Sequence, residues 1–129
     1  MSEIILNINW LAVAVGAVIA YLLGWLWYSP KMFGTKWAEG VGVSCDDPSA
    51  PPPVAPMVTQ AIGTFLLAWV VGVTATHNAL ATIILIVVTY LFLLIAAGLF
   101  AQKSCYAIGV EVGYVISMVA IMIACQAIL

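Results

Sequence analysis

The chain has no arginine, three lysines, one histidine and five carboxylates in 129 residues. Charged residues make up 6% of it, against about a quarter in a soluble domain. So few charges cannot cover a water-facing surface, which excludes a soluble globular fold. Three lysines offer no basic face, which excludes nucleic acid as a partner. Cysteine is scarce as well. Cys45, Cys105 and Cys125 form an odd, scattered set without CxxC spacing, so neither a disulfide framework nor a zinc site is supported. Asp46-Asp47 lacks the spaced oxygens that calcium requires and reads as solvated loop. There is no nucleophile–base pair, histidine cluster or glycine-rich phosphate loop. The residues therefore nominate no catalytic group, cofactor or metal, and an enzyme is not expected.

What is present is apolar. Hydrophobic residues are 66% of the chain and its mean hydropathy is +1.23. Four runs, at about 8–28, 57–76, 79–101 and 104–128, have the roughly 20-residue length that crosses a bilayer core. They predict an all-α, polytopic membrane protein: a single membrane domain over 1–129, folded as an antiparallel bundle of four transmembrane helices. The first run is too long for the apolar part of a signal peptide and follows no lysine, so it is expected to be a retained helix. Asn7 or Asn9 is placed to cap it. His77 falls in the tight turn between the second and third runs and reads as a surface group.

Residues 24–37 read GWLWYSPKMFGTKW. Trp and Tyr favour the headgroup level, and a Ser-Pro step ends one helix and can start another. Over 30–41, Phe33, Trp37 and Val41 fall on one side of a helix, and Lys31, Thr35 and Glu39 on the other. This predicts a short amphipathic segment in the membrane surface, or an ordered loop packed on the bundle. Residues 42–56 hold five of the six prolines and read as a solvated linker. Trp10, Trp27, Tyr28, Phe33 and Trp37 are the expected interfacial anchors. Lys31, Lys36 and Lys103 share one side, which makes the loops 29–56 and 102–104 cytoplasmic and puts both termini outside.

Small residues recur every four positions on three helices: Ala12, Gly16, Ala20 and Gly24; Thr64, Ala68, Gly72 and Thr76; Cys105, Gly109, Gly113 and Ser117. Such rows let helix backbones approach closely in lipid. The third run, rich in Ile, Leu, Val and Phe from Ile83 to Ile95, is the expected lipid- or partner-facing helix. Glu111 is the one carboxylate inside a run, roughly 10 Å from its start. A carboxylate at such depth faces protein, faces water or carries its proton. Tyr21, Trp25, Gln60, Thr64 and Tyr114 fall at similar depth, and a polar cluster of these around Glu111 is expected. It would be a structural knot or a proton- or cation-handling site.

The segment from Leu23 resembles the signature of small bacterial membrane proteins known as domain of unknown function 1761. Its Asn-Trp opening and Gly-x-x-Trp-Tyr-Ser-Pro-x-x-Phe-Gly-x-x-Trp pattern fall on Asn9-Trp10 and on Gly24, Trp27, Tyr28, Ser29, Pro30, Phe33, Gly34 and Trp37. A polar-x-Gly-Tyr pattern falls on Glu111, Gly113 and Tyr114. The resemblance implies a four-helix layout and a bacterial-type inner membrane, and lends no mechanism. The expected role is a non-enzymatic structural or accessory subunit, with the bilayer and a larger membrane complex or a second copy as partners. The alternative is a small oligomeric transporter or channel that uses Glu111 as a proton or cation site.

Overall fold

Capping and turn chemistry delimit four helices in the computed structural model, which describes residues 5, 7–28, 36–37 and 54–129 and, within these, no side chain at 54 or 56. Helix α1 spans Trp10–Trp27, α2 Val54–Thr76, α3 Leu80–Phe100 and α4 Cys105–Ile128. At 1.5 Å per residue they are about 27–36 Å long, matching a hydrocarbon core of about 30 Å. All four are long and apolar enough to cross a membrane, and no strand occurs among the described residues. Phe33, most of the expected interfacial segment 30–41, and residues 42–53 of the linker lie outside the described residues.

Local sequence explains the ends. Asn9 Oδ1 accepts the Ala12 N–H at 3.1 Å, and Ser104 Oγ accepts the Ala107 N–H at 3.0 Å. Each caps orphan donors of a first helical turn. The second helix starts at Val54, earlier than the expected 57, so residues 54–56 belong to a helix and not to the linker. A proline in a first turn sacrifices no helical hydrogen bond, because the N–H groups there have no partner within the helix. The turns after α2 and α3 share one design. Asn78 and Gln102 take left-handed φ of 51° and 61°. Their N–H groups donate to Ala75 O and Leu99 O, and the next N–H groups, of Ala79 and Lys103, donate to Thr74 O and Gly98 O. This pattern closes a helix by satisfying its last carbonyls within three residues.

The core lies between α1, α2 and α4. Followed from its start, α1 meets α4 at steadily earlier residues: Gly16 faces Met122, Ala20 meets Tyr114, and Trp27 meets Val110. It meets α2 in the same falling order, with Trp10 on Trp69 and Tyr21 on Met57. The α1 row Ala12, Gly16 and Ala20 is buried, as are Thr64, Ala68 and Gly72 of α2. A Cβ at Gly72 would stand 2.8 Å from a Val13 methyl, so that crossing needs glycine.

The row on α4 packs only in part, with Gly113 against Trp27. Gly109 and Cys105 are exposed, and Gly113 and Ser117 are half-buried. The buried face of α4 carries Ala107, Ile108, Val110, Tyr114, Val115, Met118, Val119 and Met122. The reason is complementarity: α1 already supplies the small side of the contact, and α4 supplies the large side chains that fill it. Tyr114 lies over Ala20 and Gly24, and Met122 over Gly16. Helix α3 gives only Ile83 and Gly98 to the interior, while Leu85, Phe92 and Leu93 are among its exposed residues.

Candidate functional site

Glu111 is the only carboxylate in the four helices. It lies two turns into α4, with its side chain 13% exposed. Lys103 comes eight residues earlier. Its backbone N–H is tied to Gly98 O in the turn that closes α3, and from there its long side chain runs back beside α4. Lys103 Nζ reaches Glu111 Oε1 at 2.8 Å. The indole N–H of Trp37 donates to the same oxygen at the long distance of 3.4 Å. The other oxygen, Oε2, is buried and makes no hydrogen bond with the described residues. Charge is thus neutralised locally, as burial of a carboxylate in an apolar helix requires.

Aromatic rings cover this pair. Tyr28 stands edge-on to Trp37 at 5.0 Å between centroids and edge-on to Tyr114 at 5.4 Å. Trp27 lies tilted on Tyr114 at 6.3 Å. Edge-to-face pairs of this spacing are favourable beyond their buried area. Two polar handles fasten the rings to backbone across helices: Trp27 Nε1 donates to Val110 O at 3.0 Å, and Tyr114 Oη donates to Ala20 O at 2.8 Å. Glycine makes this possible twice. A Cβ at Gly24 would be 2.5 Å from Tyr114 Oη, and one at Gly113 would be 3.2 Å from the Trp27 ring. Lys36, next to Trp37, places its ammonium 5.4 Å from the Tyr106 ring centroid. Residues 36–37, helical in backbone, therefore dock on the first two turns of α4 through one cation–π contact and one hydrogen bond.

Comparison with known proteins bears on the same segments. The family model described as "Protein of unknown function (DUF1761)" matches residues 11–126, nearly the whole chain. The chain belongs to this family. No curated protein and no solved structure matches this DUF1761 member.

In the DUF1761 chain the polar residues expected around one carboxylate divide into three groups. Glu111 pairs with Lys103 and Trp37. Tyr114 bonds Ala20 O, and the exposed Gln60 donates through Nε2 to buried Thr64 Oγ1 at 3.2 Å. Tyr21 donates to Met57 O at 3.1 Å and stacks on Trp25 at 5.9 Å between centroids. Trp25 is 58% exposed and gives Glu111 no hydrogen bond. It is turned outward beside Tyr21, and Trp27 takes the position facing α4. Trp10 packs on Trp69 at the opposite end of the bundle, 5.6 Å between centroids. Sequence reasoning missed Lys103 as the partner of Glu111, having used it as a marker of sidedness. Spacing alone does not signal the pair, because eight residues along a helix are about 12 Å and helical neighbours pair at three or four; Lys103 stands in the turn before α4. Among the described residues no group of three or more His, Cys, Asp or Glu could hold a metal. Chemically, the site combines a neutralised charge with fixed aromatic walls. It can brace three chain segments against one another, and it keeps one carboxylate oxygen in reserve.

Proposed function

We propose that this DUF1761 protein is a non-enzymatic structural or accessory subunit of a bacterial-type inner membrane. It acts by packing against a larger membrane complex or against a second copy. In this reading the four helices form an antiparallel bundle, the 30–41 segment lies in the membrane surface, and the lysine-bearing side is cytoplasmic with both termini outside. The falling order of contacts along α1 supports the antiparallel arrangement. Docking of Lys36 and Trp37 on α4 supports a surface segment folded back on the bundle.

The observation that carries the reading is the inequality of the helices. Helices α1, α2 and α4 supply most of the core, while α3 buries only Ile83 and Gly98, rests Val87, Leu91 and Leu94 against it, and leaves its other Ile, Leu, Val and Phe side chains mostly outward. Purification of the tagged chain in mild detergent tests it. A stoichiometric membrane partner or a defined homo-oligomer by native mass spectrometry is the expected result, and a monomer throughout would refute it.

A second reading rests on Glu111 Oε2, buried without a hydrogen bond. An oligomer could use that oxygen as a proton or cation site. Glu111→Gln separates the two: lost proton or cation flux in vesicles with unchanged stability supports the transporter, and no flux in the parent chain removes it.

A further inference from the structure

Between α2, α3 and α4 lies a cleft of about 280 Å³. Gln60, Gly63 and Thr64 form its α2 wall, Tyr90 stands on α3, and Val115 and Met118 of α4 close the back. An apolar cavity of about 150 Å³ takes up benzene, so this one has room for a substituted ring. Gly63 is not needed for a helix contact, since a Cβ there would meet nothing within 4 Å. Its effect is to widen the cleft. Tyr90 is ten residues from either end of α3, or about 15 Å from each. A bilayer core holds no water at that depth, and the half-exposed Tyr90 makes no hydrogen bond through its hydroxyl among the described residues. Such a donor in hydrocarbon calls for an acceptor. Gln60 gives one amide N–H to Thr64 Oγ1 and also hydrogen-bonds the Tyr114 side chain, which leaves Tyr90 as the free donor of the cleft.

The occupant must therefore be apolar, about the size of a ring, and equipped with an acceptor below the headgroup level. The ester carbonyls and headgroup of a phospholipid stay at the interface and cannot descend to Tyr90. An acyl chain would fill the space and leave the hydroxyl unpaired. We propose that the cleft binds a lipid-soluble carbonyl compound of the quinone class, entering sideways from the bilayer, with Tyr90 donating to a carbonyl oxygen. This is a binding site, and it stands independently of the subunit role.

The test is photolabelling of the full chain in phosphatidylcholine nanodiscs with an azidoquinone. Label is expected on peptides containing residues 60–67 and 86–90. Unlabelled decylubiquinone is expected to displace it at about three- to tenfold lower concentration than decylbenzene, the difference one hydrogen bond makes. Gly63→Leu fills the cleft and abolishes the label, whereas Gly109→Leu, equally free of neighbours within 4 Å, leaves it intact. Tyr90→Phe weakens binding about three- to tenfold. Label spread over the outer face of α3, or unchanged by Gly63→Leu, overturns the site. Equal displacement by decylbenzene overturns the carbonyl recognition and leaves an acyl-chain groove.

Discussion

Glu111 and Lys103 show how a single ionic contact is made tolerable in an apolar helix. The lysine brings its charge along a flexible stem, and Trp37 adds an N–H to the same oxygen. Losing one partner should matter more than losing both. Lys103→Met leaves the carboxylate uncompensated and is expected to destabilise by about 1–3 kcal/mol, below the full cost of a buried pair because both side chains are partly exposed. The double variant Lys103→Met with Glu111→Leu should recover most of that loss. Thermal unfolding in detergent, followed by circular dichroism, measures both; a double variant no better than the single would contradict the pairing. Gln102 offers a second residue-scale prediction. Its φ of 61° is unfavourable for any side chain, so Gln102→Gly should stabilise by about 0.5–1 kcal/mol in the same experiment.

The helices themselves were legible because charge is absent over long runs, and because Asn9 and Ser104 sit where first turns need acceptors. The packing face of α4 was not. A row of small residues at spacing four is compatible with a helix contact or with a lipid face, and only the shape of the neighbour decides. Here α1 is the smooth partner and α4 the large one, so Gly109 is left in open space while Gly24 lies under Tyr114. This gives a contrast between two identical substitutions. Gly24→Ala drives a methyl into the Tyr114 ring and breaks its bond to Ala20 O, with an expected cost of about 1–3 kcal/mol. Gly109→Ala meets nothing and is expected to be neutral or to stabilise by up to about 1 kcal/mol through helix propensity. Equal loss from both, measured by thermal unfolding, would show that the assigned faces are wrong.

At the scale of the whole molecule, the GWLWYSPKMFGTKW stretch does more than mark an exit from lipid. Trp27 and Tyr28 lock α1 onto α4, and Trp37 returns to the carboxylate that Lys103 neutralises. The polar cluster was only partly readable, since depth along a helix says nothing about the side it faces: Trp25 and Trp27 are two residues apart, one exposed and the other turned onto α4. The result is a core built mostly on α1, α2 and α4, with the outer face of α3 as the most open side. The proposed subunit role depends on that open side meeting protein. A photo-crosslinking amino acid at Phe92, which is 70% exposed on α3, tests it in native membranes, with a second at Ile19 on the outer side of α1 for comparison. The account predicts a discrete protein adduct of defined mass from position 92 and none from position 19. Lipid adducts alone at position 92, or the same protein adducts from both positions, would contradict it.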